Sequence, residues 1–143
     1  MFVKQISVFM ENKKGRLARL TEVLAHNEIN LIALSIADTA EYGIMRAIVN
    51  DTDKAKAVLH DNGFAATTTE VLAVEVPDTT GGLSDVLCML NEADISVEYL
   101  YSFVRTAGIK ALILFKVNKS AEAVECFAKH NIRLLSQKEV NAL

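Results

Sequence analysis

The sequence predicts an α+β protein in which one βαββαβ unit occurs twice, with the helices of each unit on one face of an antiparallel sheet. Three observations carry this. First, the stretch Val8 to Leu31 recurs 66 residues later: Val8, Gly15, Leu17, Leu24 and Ile29 are matched by Val74, Gly81, Leu83, Leu90 and Ile95. Similar residues fill Met10/Val76, Leu20/Val86 and Leu31/Val97. A repeat at a fixed offset defines an architecture before any local signal does. Second, each copy sets an apolar pattern of helical period between strand-like runs. Third, no Gly/Ser-rich tether separates the copies, as independent domains would have.

The elements follow in order. Val3 to Met10 reads as a strand, with Val3, Ile6, Val8 and Met10 set against Gln5, Ser7 and Phe9. The polar run Glu11 to Lys14 stops it. Gly15 opens a helix whose Leu17, Leu20, Val23 and Leu24 share one face, and His26-Asn27 ends it. Leu31 to Ala37 is an apolar strand, Asp38 to Gly43 a turn, and Ile44 to Val49 the next strand. Asp51-Thr52-Asp53 starts a helix that carries Ala55, Val58 and Leu59 and stops at Asn62-Gly63.

This is the split βαβ order of ferredoxin-like units. The next strand, about Ala65 to Val76, ends one unit and begins the other before Pro77 stops it. The expected units are 1–70 and 71–143, each small enough to have a marginal core alone.

The second unit repeats the order. Asp78 to Gly82 is the turn, and Leu83, Val86, Leu87 and Leu90 form the helix face. Strands follow at Ile95–Val104 and Ile109–Val117, with a turn at Arg105–Gly108 between them. Ser120 is the expected N-cap of a helix holding Val124, Phe127 and Ala128. Ile132 to Ser136 is the last strand, and Lys138 to Leu143 a polar tail expected to fray.

Composition excludes several functions. A net charge of −3 gives no electrostatic case for nucleic acid or anionic membrane. No apolar run exceeds five residues, whereas a membrane span needs roughly 20. Met1 leads directly into strand-like residues, so no signal peptide is expected. Cys88 and Cys126, both in helical patterns, read as buried free thiols. Together these predict a cytoplasmic protein.

Nothing in the chain spells catalysis. His26, His60 and His130 each fall at a helix C-terminus, where the dipole favours a surface histidine. None has a Cys or carboxylate at metal-ligand spacing, and no nucleophile elbow, phosphate loop or dinucleotide fingerprint occurs. No enzyme, metal or cofactor is expected.

Binding residues gather at the two strand-to-helix turns. Helix N-termini present unpaired backbone N–H groups suited to an anion. In unit one these are Gly15, Arg16 and Leu17; in unit two, Gly81, Gly82 and Leu83. A simpler reading is that both glycines only permit the turn. Three residues before each glycine stands Asn12 or Asp78, and fifteen after it Asn30 or Ser96.

The run Glu11-Asn12-Lys13-Lys14-Gly15-Arg16-Leu17, followed by Asn27-Glu28-Ile29-Asn30, resembles the effector-binding stretch of ACT domains. These are small βαββαβ modules that bind amino acids and regulate metabolic enzymes. The resemblance covers the chain twice. It implies that Asn12 and Asn30 hold an amino acid, that Leu31 and Ile32, with Val97 and Glu98 in unit two, edge the pocket, and that the site lies between paired domains. Lys14 and Thr80 replace a proline frequent in the family, and Asp78 and Ser96 replace two asparagines. Asp78 either holds a ligand ammonium or caps the helix.

The implied function is that of a tandem amino-acid sensor without a catalytic domain. Open sheet edges predict a homodimer, and a regulated enzyme, not identifiable from the chain, is the implied partner. The alternatives are an interaction module that binds no small ligand, by strand addition, and a small α/β enzyme, which fold alone does not exclude.

Overall fold

A computed structural model of the protein describes residues 1–103 and 110–143. The turn expected at Arg105–Gly108 lies outside the described residues, as do Val104 and Ile109 beside it. The chain divides into two compact units, one of residues 4–69 and one of 70–143 joined by 1–3.

The first unit contains β1 (Val3–Glu11), α1 (Arg16–His26), β2 (Leu31–Asp38), β3 (Tyr42–Val49) and α2 (Thr52–Asp61). Its sheet runs in the order β2-β3-β1-β4, where β4 is Ala65–Pro77. The β1–β3 and β2–β3 ladders are antiparallel, with Met10 opposite Gly43 and Asp38 also opposite Gly43. Alternation along the strands sends Ile6, Val8 and Met10 of β1, and Met45, Ala47 and Val49 of β3, into one core. There they meet Leu20, Val23 and Leu24 of α1 and Ala55 and Leu59 of α2.

The expected two-faced character of β1 is only half observed. Gln5 is fully buried, its Nε2 donating to Ser7 Oγ at 3.1 Å. Val3 shares its side of the strand, because side chains alternate with period two.

The second unit repeats the plan with α3 (Gly82–Glu92), β5 (Val97–Ser102), β6 (Lys110–Val117), α4 (Ser120–Lys129) and β7 (Leu134–Leu135). Its strand order is β7-β4-β6-β5. Leu72, Val74 and Val76 of β4 and Ile113, Phe115 and Val117 of β6 pack against Val86, Leu90, Cys126 and Phe127. Phe115 and Phe127 meet edge to face at 6.3 Å, a geometry favoured by the ring quadrupole.

All four long helices end alike. After α1 the N–H of Glu28 donates to Ala25 and that of Ile29 to Leu24. The equivalent pairs are Gly63/Phe64 after α2, Asp94/Ile95 after α3 and Asn131/Ile132 after α4. Glu28, Gly63, Asp94 and Asn131 are all left-handed, at φ 58°, 82°, 57° and 56°. This is the Schellman closure, in which an apolar residue just beyond the left-handed one folds back onto the helix.

Four expectations need correction. The tail does not fray: Gln137–Asn141 forms a helix, α5. Ser136 and Glu139 cap it reciprocally, and Arg133 bonds Glu139 at 2.7 Å. The strand before it shrinks to two residues. Ser120 is the first helical residue of α4 rather than its cap, a position taken by Lys119 without a side-chain bond. Cys126 is buried, but Cys88 is exposed, because α3 turns it away from the core.

Candidate functional site

Both strand-to-helix turns are built the same way. Gly15 is the N-cap of α1 at φ 88°, ψ −12°, and Gly81 that of α3 at φ 89°, ψ −11°. These left-handed angles suit glycine. Each glycine carbonyl accepts the first helical bond, from Arg19 or Asp85, at 2.9 Å. Neither helix has a side-chain cap. The middle N–H of each expected anion-binding trio is already used inside the turn: Arg16 donates to the Lys13 carbonyl at 3.2 Å, and Gly82 to that of Thr79 at 3.0 Å.

Asn12 closes β1 against the β2–β3 hairpin. Its backbone N–H donates to the Glu41 carbonyl at 2.9 Å and its Nδ2 to that of Thr39 at 3.3 Å. Because the donors face the hairpin, the carboxamide oxygen remains to accept. Beside it lies a cleft of about 90 Å³, lined by Asn12, Arg16 and Leu17 together with Met10, Ile36 and Asp38. Its lining mixes apolar Met10, Leu17 and Ile36 with charged side chains. Glu11 and Lys13, also in the lining, pair at 2.7 Å. That hydrogen bond, followed by the lysine charge, holds the Glu11 carboxyl below its ordinary pKa. The Arg16 guanidinium lies 4.5 Å from the centre of the Phe64 ring, a cation–π contact.

Asn30 lies elsewhere. β2 begins just after it and runs its eight residues to Asp38, a length of roughly 26 Å at about 3.3 Å per residue. Within one unit, therefore, Asn12 and Asn30 do not meet around one small ligand. At its own end Asn30 is part of a strand clamp: its N–H donates to Asn50 Oδ1 at 2.9 Å, and the Asn50 N–H returns to its carbonyl at 3.2 Å. Unit two repeats this clamp between Ser96 and Asn118, at 2.9 and 3.1 Å. Leu31 and Ile32, and Val97 and Glu98, follow the clamp, away from the turn of their own unit. Asp78 stands at the second turn, exposed, beside Gly81, Gly82 and Leu83.

Sequence reasoning missed Asn50 and Asn118, although each directly follows a β-strand in its unit. It also missed Asp38 and Ile36 as cleft residues. Only the ladders that set Met10 and Asp38 against the same Gly43 bring them to Asn12.

Among the described residues no three His, Cys, Asp or Glu side chains are grouped to hold a metal, and no helix is long and apolar enough to cross a membrane.

The sequence profile of the ACT domain pair family matches residues 1–143. The chain belongs to that family, and its fold is the ferredoxin-like ACT unit repeated twice. No curated protein sequence matches it. Among solved structures, protein BT0572 from Bacteroides thetaiotaomicron is 38% identical, with a TM-score of 0.93 over 100% of this chain and 98% of that one. The regulatory subunit of aspartate kinase from Thermus thermophilus, in its ligand-free form, is 14% identical, with a TM-score of 0.59 over 88% and 91% of the two chains. Aspartokinase III of E. coli, in complex with lysine and aspartate, is 16% identical, with a TM-score of 0.50 over 90% of this chain and 31% of that one. The last two show a shared fold.

Proposed function

We propose that this protein is an amino-acid sensor: an ACT pair that binds a small amino acid at the first turn and passes the signal to a partner enzyme. The observation that supports it best is the cleft beside Asn12, which Asn12 lines together with Arg16 and Leu17 at the start of α1. An amino acid is a zwitterion. Its carboxylate suits the positive end of a helix and its ammonium suits oxygen acceptors. No catalytic residue is needed for this role, which would be exercised in the cytoplasm.

The working form in this reading is a homodimer. β2 is the outer strand of its unit, and Leu34 and Ile36 on it are 40% and 44% exposed. From Leu31 to Ala37 it carries none of the charges that guard a free edge. Two copies related by a twofold axis would pair β2 antiparallel. That pairing sets the Leu31 end of one strand beside the Asp38 end of the other. Asn30 of the second copy then approaches the cleft that holds Asn12 of the first, which accounts for their separation within one unit.

The test is a thermal-shift screen of the twenty amino acids on protein unfolded and refolded to strip any carried ligand. A ligand bound only to the folded state raises Tm by mass action. A selective rise that Asn12→Ala weakens about tenfold or more supports the reading. A flat screen rejects it and favours an interaction module that uses the β2 edge.

A further inference from the structure

The first-turn cleft is polarised. On its helix side stand two cations, Lys13 and Arg16. Lys13 is paired to Glu11, and Arg16 is held at the head of α1 by the Phe64 ring. On its strand side stands Asp38, which among the described residues makes no ion pair. Glu41 lies on the same side, joined through its carbonyl to Asn12. A carboxylate without an ion pair among the described residues and the cationic head of α1 thus line one space of about 90 Å³, a charge pattern that matches the two ends of one small zwitterion.

The second turn has the same backbone and different charges. Asp78 stands where Asn12 does, and Gly82 where Arg16 does. Thr79 and Thr80 replace Lys13 and Lys14, so the run from Pro77 to Leu83 holds one negative charge and no positive one. Among the described residues the nearest cation on the ladder, Lys110 opposite Pro77, is bound to Glu75 at 3.0 Å. A carboxylate arriving here meets a like charge, which is disfavoured.

Building on the proposed amino-acid site, we propose that Asp38 is the group that recognises the ligand's ammonium. The chain then binds one amino acid, at the first turn, and none at the second. The ligand lies with its carboxylate toward α1 and its ammonium toward the end of β2. Asp38 thereby makes the site select amino acids over plain carboxylic acids.

Isothermal titration calorimetry tests this on the full chain. Each of the twenty L-amino acids is titrated, and every binder is compared with its desamino acid and its C-terminal amide (for alanine, propanoate and alaninamide). In the unmodified protein the amino acid binds at one per chain, about tenfold or more tighter than either analogue, the range for losing a charged hydrogen-bond partner. Asp38→Asn brings the amino acid down to the affinity of the desamino acid and leaves the desamino acid unchanged. Asp38→Glu keeps the preference, and Asp78→Asn changes neither stoichiometry nor affinity. Two equivalents per chain, a preference that survives Asp38→Asn, or an equal loss for both ligands overturns the assignment while the sensor reading stands. No binding of any amino acid overturns both.

Discussion

Replacing Gly82 by alanine tests how tightly the second turn is built. Gly82 opens α3, and a Cβ placed there would meet the Pro77 carbonyl oxygen well inside contact distance, with the carbonyl carbon at 3.1 Å and Pro77 Cβ at 3.3 Å. The obstacle is backbone, so no rotamer change relieves it. Overpacking of this kind costs about 1–3 kcal/mol. Alanine returns up to about 1 kcal/mol of helix propensity relative to glycine, so the net loss falls between about 0 and 3 kcal/mol, centred near 1–2 kcal/mol. With a urea m-value of about 2 kcal/mol/M, the midpoint falls by about 0.5–1 M. Gly15 and Gly81 provide the contrast. A Cβ at either meets nothing within 4 Å, but their φ angles are 88° and 89°. Alanine there costs about 1–2 kcal/mol through backbone conformation alone. Asparagine tolerates left-handed angles, so Gly15→Asn recovers part of that loss, while Gly82→Asn recovers none. The assay is urea unfolding followed by circular dichroism. A raised midpoint for Gly82→Ala would refute the close seating of α3 on Pro77.

Further predictions concern the rest of the frame. Asp51 caps α2 by accepting the Lys54 N–H at 3.0 Å, so Asp51→Ala should lower stability by about 1 kcal/mol in the same assay. Glu28 holds a left-handed angle that glycine adopts freely, so Glu28→Gly should raise the melting temperature, by about 0.5–1 kcal/mol of stability. Phe127 is fully buried against Phe115, and Phe127→Ala should cost about 3–5 kcal/mol. Glu139 has its carboxyl pulled down to about 2 by bonds from Ser136 and then Arg133. A carboxyl lowered on folding stabilises above its unfolded pKa of about 4.3 and loses that contribution as pH falls toward about 2. The midpoint gap between the parent protein and Glu139→Gln should therefore be widest at neutral pH and close between pH 4 and 2.

How much was legible in the sequence depended on distance along the chain. The repeat was legible because the same local needs recur at the same spacing: an apolar helix face, a left-handed glycine at each turn, and an apolar residue folding back after each helix. The polar surroundings of Gln5 were not, since burial on that side of β1 depends on residues far away in sequence. The α5 helix was overlooked because five residues carry too little periodicity; its signal was the Ser136–Glu139 capping spacing. At the turn, Asn12, Arg16 and Leu17 were legible as neighbours within seven residues. Asp38 was not, because it reaches them only through two ladders that share Gly43. The resemblance sets Asn30 beside Asn12, and the strand length shows that one unit does not bring them together.

The most direct test of the sensor reading is a nuclear magnetic resonance titration of nitrogen-15-labelled protein with the amino acid that shifts Tm most. Saturable changes confined to the amides of Asn12, Gly15 to Leu17, Asp38 and, across the β2 pairing, Asn30, with Gly81 to Leu83 unmoved, are the predicted result. Changes centred on the second turn or on a remote face, or a spectrum that no amino acid alters, would contradict it.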